Sequence, residues 1–332
     1  MRRLTMALVA LLVAGGALTF LAVRQLAPVA EEAPEVLFVV ERGDSLARVA
    51  QKLEREGLVR NAAVVKWLAR LRGLASKLHA GEYRFAASLA PGAMLERIAA
   101  GRVATHEVSL PEGFTAAQIG ERLAAHGIVD AAAFAAAVQD AELAAQLAVP
   151  AAGLEGYLFP ETYRLPRGLA ASDVARILVE QFQRAWQDLE PEARERGLEM
   201  HAVVTLASIV EKETGAPEER PLIASVFANR LARNMRLESD PTVIYGIPDF
   251  DGNLQRRDLD DAANPYNTYQ IQGLPPGPIA NPGIDSLRAV VRPAETDYLY
   301  FVSKNDGTHQ FSSSYRDHIN AVNRFQRRRA SK

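Results

Sequence analysis

The chain has 332 residues, 48% of them hydrophobic and 23% charged, with a net charge of −2 and no cysteine. That length accommodates two folded units plus extras, and the ordinary balance of apolar and charged residues excludes a disordered chain. A near-neutral charge offers no field for nucleic acid, and the lack of cysteine excludes disulfides, cysteine-ligated zinc and thiol catalysis.

After Met1-Arg2-Arg3, a stub expected in the cytoplasm, "LTMALVALLVAGGALTFLAV" runs over 4–23 without a charge. Roughly 20 apolar residues span a bilayer as a helix. Arg2 and Arg3 precede the run, while Glu31, Glu32 and Glu35 follow soon after Arg24, so positive-inside bias places the rest of the chain outside the cytoplasm. A cleaved signal peptide is the rival reading, but its apolar region would be shorter and "APVA" puts Pro28 at the −3 position. No second long apolar run follows, which makes a single-pass anchor the expectation. Residues 24–35, with two prolines and three acids, read as a short linker.

"VLFVVERGDSLARVAQKLEREGLV" then gives an alternating strand, a Gly-Asp-Ser turn and an amphipathic helix. Ser45 is the predicted N-cap, and Leu46, Val49, Ala50 and Leu53 form the buried stripe. The unit recurs in "HEVSLPEGFTAAQIGERLAAHGIV". One offset of 70 residues superimposes Gly43 on Gly113, Ser45 on Thr115, Val49 on Ile119, Leu53 on Leu123 and Gly57 on Gly127. That constancy through strand, turn, helix and glycine stop marks an internal duplication over 36–148. Between the copies, "AGEYRFAASLAPGAMLERIAAGRV" reads as a strand, a Pro-Gly turn and a short helix. The strand–Gly-Asp-Ser–helix pattern resembles LysM-like modules that bind N-acetylglucosamine polymers; a small α/β scaffold without a sugar site fits the same residues.

"AAAFAAAVQDAELAAQLA" is alanine-rich helix suited to a spacer. From Gly153 the character changes: "GLEGYLFPETYRLPRGL" is rich in glycine, proline and aromatics, and "ASDVARILVEQFQRAWQDL" is helical. A second domain is therefore expected over 153–325, followed by a basic tail, 326–332. In "HAVVTLASIVEKET", from His201, Val203, Leu206, Ala207 and Val210 make an apolar stripe. Glu211 and Glu213 fall on its opposite edges, each about 80° from the centre at about 100° per residue. Helical periodicity does not choose between them, and two solvated acids at a helix end are the bland alternative.

Downstream, "SVFANRLARNMRLESDPTVIYGI" passes from helix into a polar segment, and "NPYNTYQIQGLPPGPIANPG" is a long loop punctuated by proline and glycine. Its tyrosines and asparagines can stack on sugar faces and bond hydroxyl or N-acetyl groups. "DYLYFVSKNDGTHQFSSSYRDHINAVNRFQ" gives two strands about an Asn-Asp-Gly turn, then a helix. The six histidines are scattered without metal spacing, His309 and His318 read as structural or surface groups, and no dinucleotide, phosphate-loop or nucleophile-elbow motif occurs. No cofactor is expected.

"EGYLFPETY", "LASIVEKET", "SVFANRL", "SDPTVIYG", "NPYNTY", "GLPPGPIANPG" and "DGTHQFSSSYRDH" occur in the order that resembles the YceG-like family of endolytic murein transglycosylases. Pro265 is the one local departure. The resemblance implies an α+β chain: a single N-terminal transmembrane helix, LysM-like α/β modules and a C-terminal α+β catalytic domain. It implies non-hydrolytic cleavage of peptidoglycan between MurNAc and GlcNAc, within glycan strands, with cell-wall synthesis proteins as candidate partners. It also implies one catalytic acid, the first glutamate of Val-Glu-Lys-Glu, which is Glu211; such an acid starts protonated, and the apolar edge of Val204 and Ala207 can supply the burial that this needs. Ser208, Asp240, Tyr245, Tyr266, Asn267 and Tyr269 are the candidate sugar contacts. A non-catalytic glycan-binding scaffold would tolerate loss of Glu211, and a true hydrolase would need a second carboxylate, for which Asp240 is the candidate.

Overall fold

The computed structural model describes residues 12, 15–16, 20 and 23–327. The expected anchor, 4–23, lies almost wholly outside them. Among the described residues no helix is long and apolar enough to cross a membrane. Contacts divide the chain into two units, Met1–His106 with Arg164–Gly168, and Glu107–Tyr163 with Leu169–Lys332.

In the first unit β1 (Glu35–Val40) leads to α1 (Leu46–Arg55), α2 (Ala62–Leu71), β2 (Gly81–Ala86) and α3 (Pro91–Ala99). β1 and β2 pair antiparallel with Phe38 opposite Tyr83, and strand alternation sends Phe38, Val40, Tyr83 and Phe85 into one core. Val49, Ala50 and Leu53 of α1 close that core, and the Ser45 hydroxyl accepts the Arg48 amide to start the helix. The expected Pro-Gly turn is instead the first turn of α3, where Pro91 lacks only an amide the helix would leave unused. The segment read as a linker is held down. Arg60 donates to the carbonyls of Arg24 (3.1 Å), Ala27 (2.7 Å) and Val29 (3.1 Å), and the Val29 amide donates to Ala87 O.

The chain continues through β3 (His106–Ser109), α4 (Ala116–Ala125), α5 (Ala131–Val138), α6 (Ala141–Gln146) and β4 (Thr162–Leu165), which pairs with β3. The offset of 70 reappears here. α4 repeats α1 residue for residue in its bounds, Thr115 caps it as Ser45 caps α1, and Gly127 (φ +67°) stops it as Gly57 (φ +68°) stops α1. The alanine-rich spacer is two helices, because the Asp140 carboxylate accepts the amides of Glu142 and Leu143 and starts a new one.

α7 (Ala171–Gln187) and α8 (Glu190–Glu195) precede α9 (Met200–Glu213). A single 3₁₀ turn, Pro217–Glu219, leads into α10 (Arg220–Ala232), then α11 (Asp240–Tyr245), α12 (Arg256–Leu259) and α13 (Ile284–Val291). The polar Ser-Asp-Pro-Thr segment is thus the start of α11, with Pro241 in its first turn. β5 (Tyr300–Ser303) and β6 (His309–Ser312) form the expected hairpin, and α14 (Tyr315–Val322) follows. α9 packs against α10, α11 and α13, and every residue from Val203 to Val210 is buried. The apolar stripe therefore widens to the whole circumference, as a central helix requires. Its last turn, with the two glutamates, reaches polar surroundings.

Candidate active site

The two acids leave α9 on opposite edges into different surroundings. Glu211 turns toward the start of α13. Its Oε1 accepts from Arg220 Nη2 at 3.1 Å, and its Oε2 accepts from the Gly283 amide at 3.1 Å and from Ser286 Oγ at 2.7 Å. Arg220 also reaches Glu112 at 3.2 Å, and the Glu211 and Arg220 side chains are only 7% and 11% exposed. Both oxygens of Glu211 are committed to a buried ion pair and a helix N-terminus.

Glu213 faces the other way. Its Oε1 accepts from Ser239 Oγ at 2.6 Å. Burial pushes its carboxyl above the ordinary glutamate range; Ser239 opposes the shift, the nearby charge of Asp240 adds to it and His309 opposes it. It lies on the wall of a cavity of about 350 Å³. Asp240 and Tyr269 share that wall, with the tyrosine hydroxyl donating to Asp240 Oδ1 at 2.7 Å. Also lining it, Arg230 sits 5.2 Å over the Tyr300 ring, and His318 stacks on Tyr300 at 5.2 Å between centroids. Burial, then Arg230, lowers the affinity of His318 for a proton. An acid tuned toward its neutral form, beside aromatic faces and a fixed cation, can protonate a leaving group and bind a polyhydroxylated ring.

Asp240 and Tyr269 are the two candidate sugar contacts that line this cavity; the other four do not. Ser208 is fully buried, donating to Thr205 O and accepting the Ile279 amide, so it ties α9 to the loop before α13. Asn267 is equally buried and its amide donates to the carbonyls of Asp258, Leu259 and Asp261, stapling its own loop. Both placements have one cause: a short polar side chain in a loop-rich domain is first consumed by backbone groups. Tyr245 and Tyr266 pack edge to face at 4.8 Å, and the Tyr245 hydroxyl donates to Glu155 at 3.3 Å, beside a separate cavity of about 480 Å³.

Glu213, weighed equally on the helical wheel, and Arg230, Tyr300 and His318 are the residues that sequence reasoning left out of the site. A signal existed for Arg230, an arginine inside the apolar helix "SVFANRL". It is 7% exposed, and a buried guanidinium needs the partners that Glu238 and three backbone carbonyls provide.

The YceG-like family model matches residues 38–324. An endolytic murein transglycosylase of Bacillus subtilis is 28% identical over 302 residues, covering 86% of this chain and 83% of its own length. One from Streptococcus pneumoniae is 27% identical over 312 residues, 84% of this chain but 56% of its own length. A YceG-like protein of known structure from Listeria monocytogenes aligns with a TM-score of 0.61 at 30% identity, over 86% of this chain and 98% of its own.

Proposed function

The chain belongs to the YceG-like family, and from that premise we propose that it is a murein lytic transglycosylase with Glu213 as its acid. The observation that carries this reading is a single carboxyl, shifted toward its neutral form by burial, on the wall of a cavity lined by aromatic and charged groups. Ser239 engages Oε1, and Oε2 delivers the proton. Glu213 protonates the GlcNAc O4 as the C1–O4 bond to MurNAc breaks. The MurNAc C6 hydroxyl then attacks C1, and its proton returns to the Glu213 carboxylate. The product is a 1,6-anhydroMurNAc end, and the proton count closes without water or a second carboxylate.

Glu211, the acid implied by the family motif, is assigned a structural role here, because Arg220, Gly283 and Ser286 take both its oxygens. Asp240 is not given the role of a hydrolase's base, since Tyr269 already donates to it. Cleavage within strands, an uncleaved anchor over 4–23 holding the chain in the bacterial inner membrane with its catalytic unit outside the cytoplasm, and glycan binding by the LysM-like repeat complete the reading. They rest on the family resemblance, the charge flanks and the duplication.

End-group analysis of digested glycan strands tests it. Anhydro ends are expected from the wild type and none above background from Glu213→Gln, since general acid–base catalysis is typically worth roughly 10²–10⁴-fold. Free reducing ends would mean hydrolysis, and full activity in Glu213→Gln would remove this residue from the chemistry.

A further inference from the structure

The turn between α10 and α11 is built around one side chain. Glu238 is not glycine yet has φ +53°, a backbone conformation that persists only where its surroundings enforce it. Arg230 enforces it. Its Nη1 donates to the carbonyls of Arg236 (2.9 Å) and Leu237 (3.0 Å) and to Glu238 Oε2 (3.0 Å), while Nε donates to Leu299 O at 2.7 Å. The next residue is Ser239, 1% exposed. Its amide donates to Thr268 Oγ1 at 3.0 Å, and its carbonyl accepts from Thr242 Oγ1 at 2.6 Å. The hydroxyls of those two fully buried threonines are 2.8 Å apart. Every backbone polar group of Ser239 is thus fixed from behind, and its hydroxyl is left to reach Glu213 Oε1 at 2.6 Å.

We propose that Ser239 is a positioning residue for Glu213: it fixes the carboxyl and, by donating to Oε1, assigns the transferable proton to Oε2. This rests on Glu213 being the acid. A serine hydroxyl has a single hydrogen, and that hydrogen is worth most when its acceptor is charged. When the proton leaves Oε2 for the glycosidic oxygen, the new carboxylate already has its donor in place. The same carboxylate then takes the O6 proton back on Oε2. The stabilisation therefore grows along the reaction and is preorganised by the strained turn, with no side chain having to move.

The other titratable groups around Glu213 are Asp240 on α11, His309 on β6, and Arg230, Glu238, Tyr269, Tyr300 and His318 about the cavity. Substitution at Ser239 alters none of them. Removing the donor favours the neutral acid, so the acid stays competent to higher pH while each turnover slows.

The test is the pH dependence of anhydro-end formation by the full chain. Ser239→Ala should lower kcat roughly tenfold to a hundredfold, leave KM within about twofold, and move the alkaline limb of the kcat profile up by about one pH unit. Ser239→Thr keeps a hydroxyl and should restore the limb; Ser239→Cys, a weaker donor, should fall between and serves if the alanine variant does not fold. A loss of rate with the limb unmoved in Ser239→Ala or Ser239→Cys would overturn the inference, as would wild-type kinetics. Either result, alongside an inactive Glu213→Gln, defeats only the role of Ser239; an active Glu213→Gln defeats the assignment of the acid itself.

Discussion

Two glutamates separated by one lysine meet different partners, and substitution separates the roles proposed for them. Glu211→Gln strips the charge from an ion pair whose members are 7% and 11% exposed, leaving Arg220 short of its partner. Breaking such a pair costs about 3–5 kcal/mol, so the melting temperature should fall while activity per folded molecule stays within about tenfold of wild type. Glu213→Gln should show the reverse, an unchanged or raised melting temperature with no anhydro product. Equal losses of both kinds in both variants would show that the two residues are not divided in this way. Glu155 gives a separate titration. Burial pushes its carboxyl from 4.5 up to about 7, against donation from the Ala116 amide, Tyr245 and Asn281. Between those values the unfolded chain releases a proton that the folded chain keeps, so this group lowers stability progressively as pH rises. The melting temperature of Glu155→Gln relative to wild type should therefore climb between about pH 4.5 and pH 7, the window those two values define, and level off above it. A difference independent of pH would remove Glu155 as the cause.

At the scale of elements, what was legible followed from periodicity and punctuation. The Ser45 cap, the Gly57 stop and the β5–β6 hairpin are local signals, and the structure displays each. The edges of α9 were legible as edges, but their neighbours were not. Which acid meets Arg220 and which meets Ser239 depends on where α10, α11 and α13 return to pack, over separations that a helical wheel does not contain. The same limit hid Ser208 and Asn267, whose polar groups go to backbone partners from other segments. Gly156 shows how tightly those segments meet. It has φ +88°, and a Cβ there would lie 2.4 Å from Pro278 Cγ and 2.9 Å from Val204 Cγ1. Gly156→Ala combines left-handed strain with overpacking and should cost roughly 2–4 kcal/mol, read as a lower denaturant midpoint. A midpoint matching wild type would mean that the loop around Pro278 can yield.

At the scale of the molecule, sequence repetition grouped both copies of the duplicated unit, whereas contacts group the second copy with the segment bearing Glu213. The reason is a face that repetition cannot assign: α5, nearly all alanine, packs against α7, its small side chains letting that helix come close. The topology expected from the charge flanks is testable on the intact cell. A reporter active only outside the cytoplasm, fused after Glu35, should be active while the N-terminus stays shielded from external protease. A mature chain beginning near residue 31 would replace the anchor with a cleaved signal.

A dozen unconstrained residues would let a tethered body roam a radius of roughly 17–21 Å. Arg60 denies the first unit that freedom, by gripping the carbonyls of Arg24, Ala27 and Val29. What the sequence offered as a leash is, from Arg24 to Val29, fastened along the first unit's own surface.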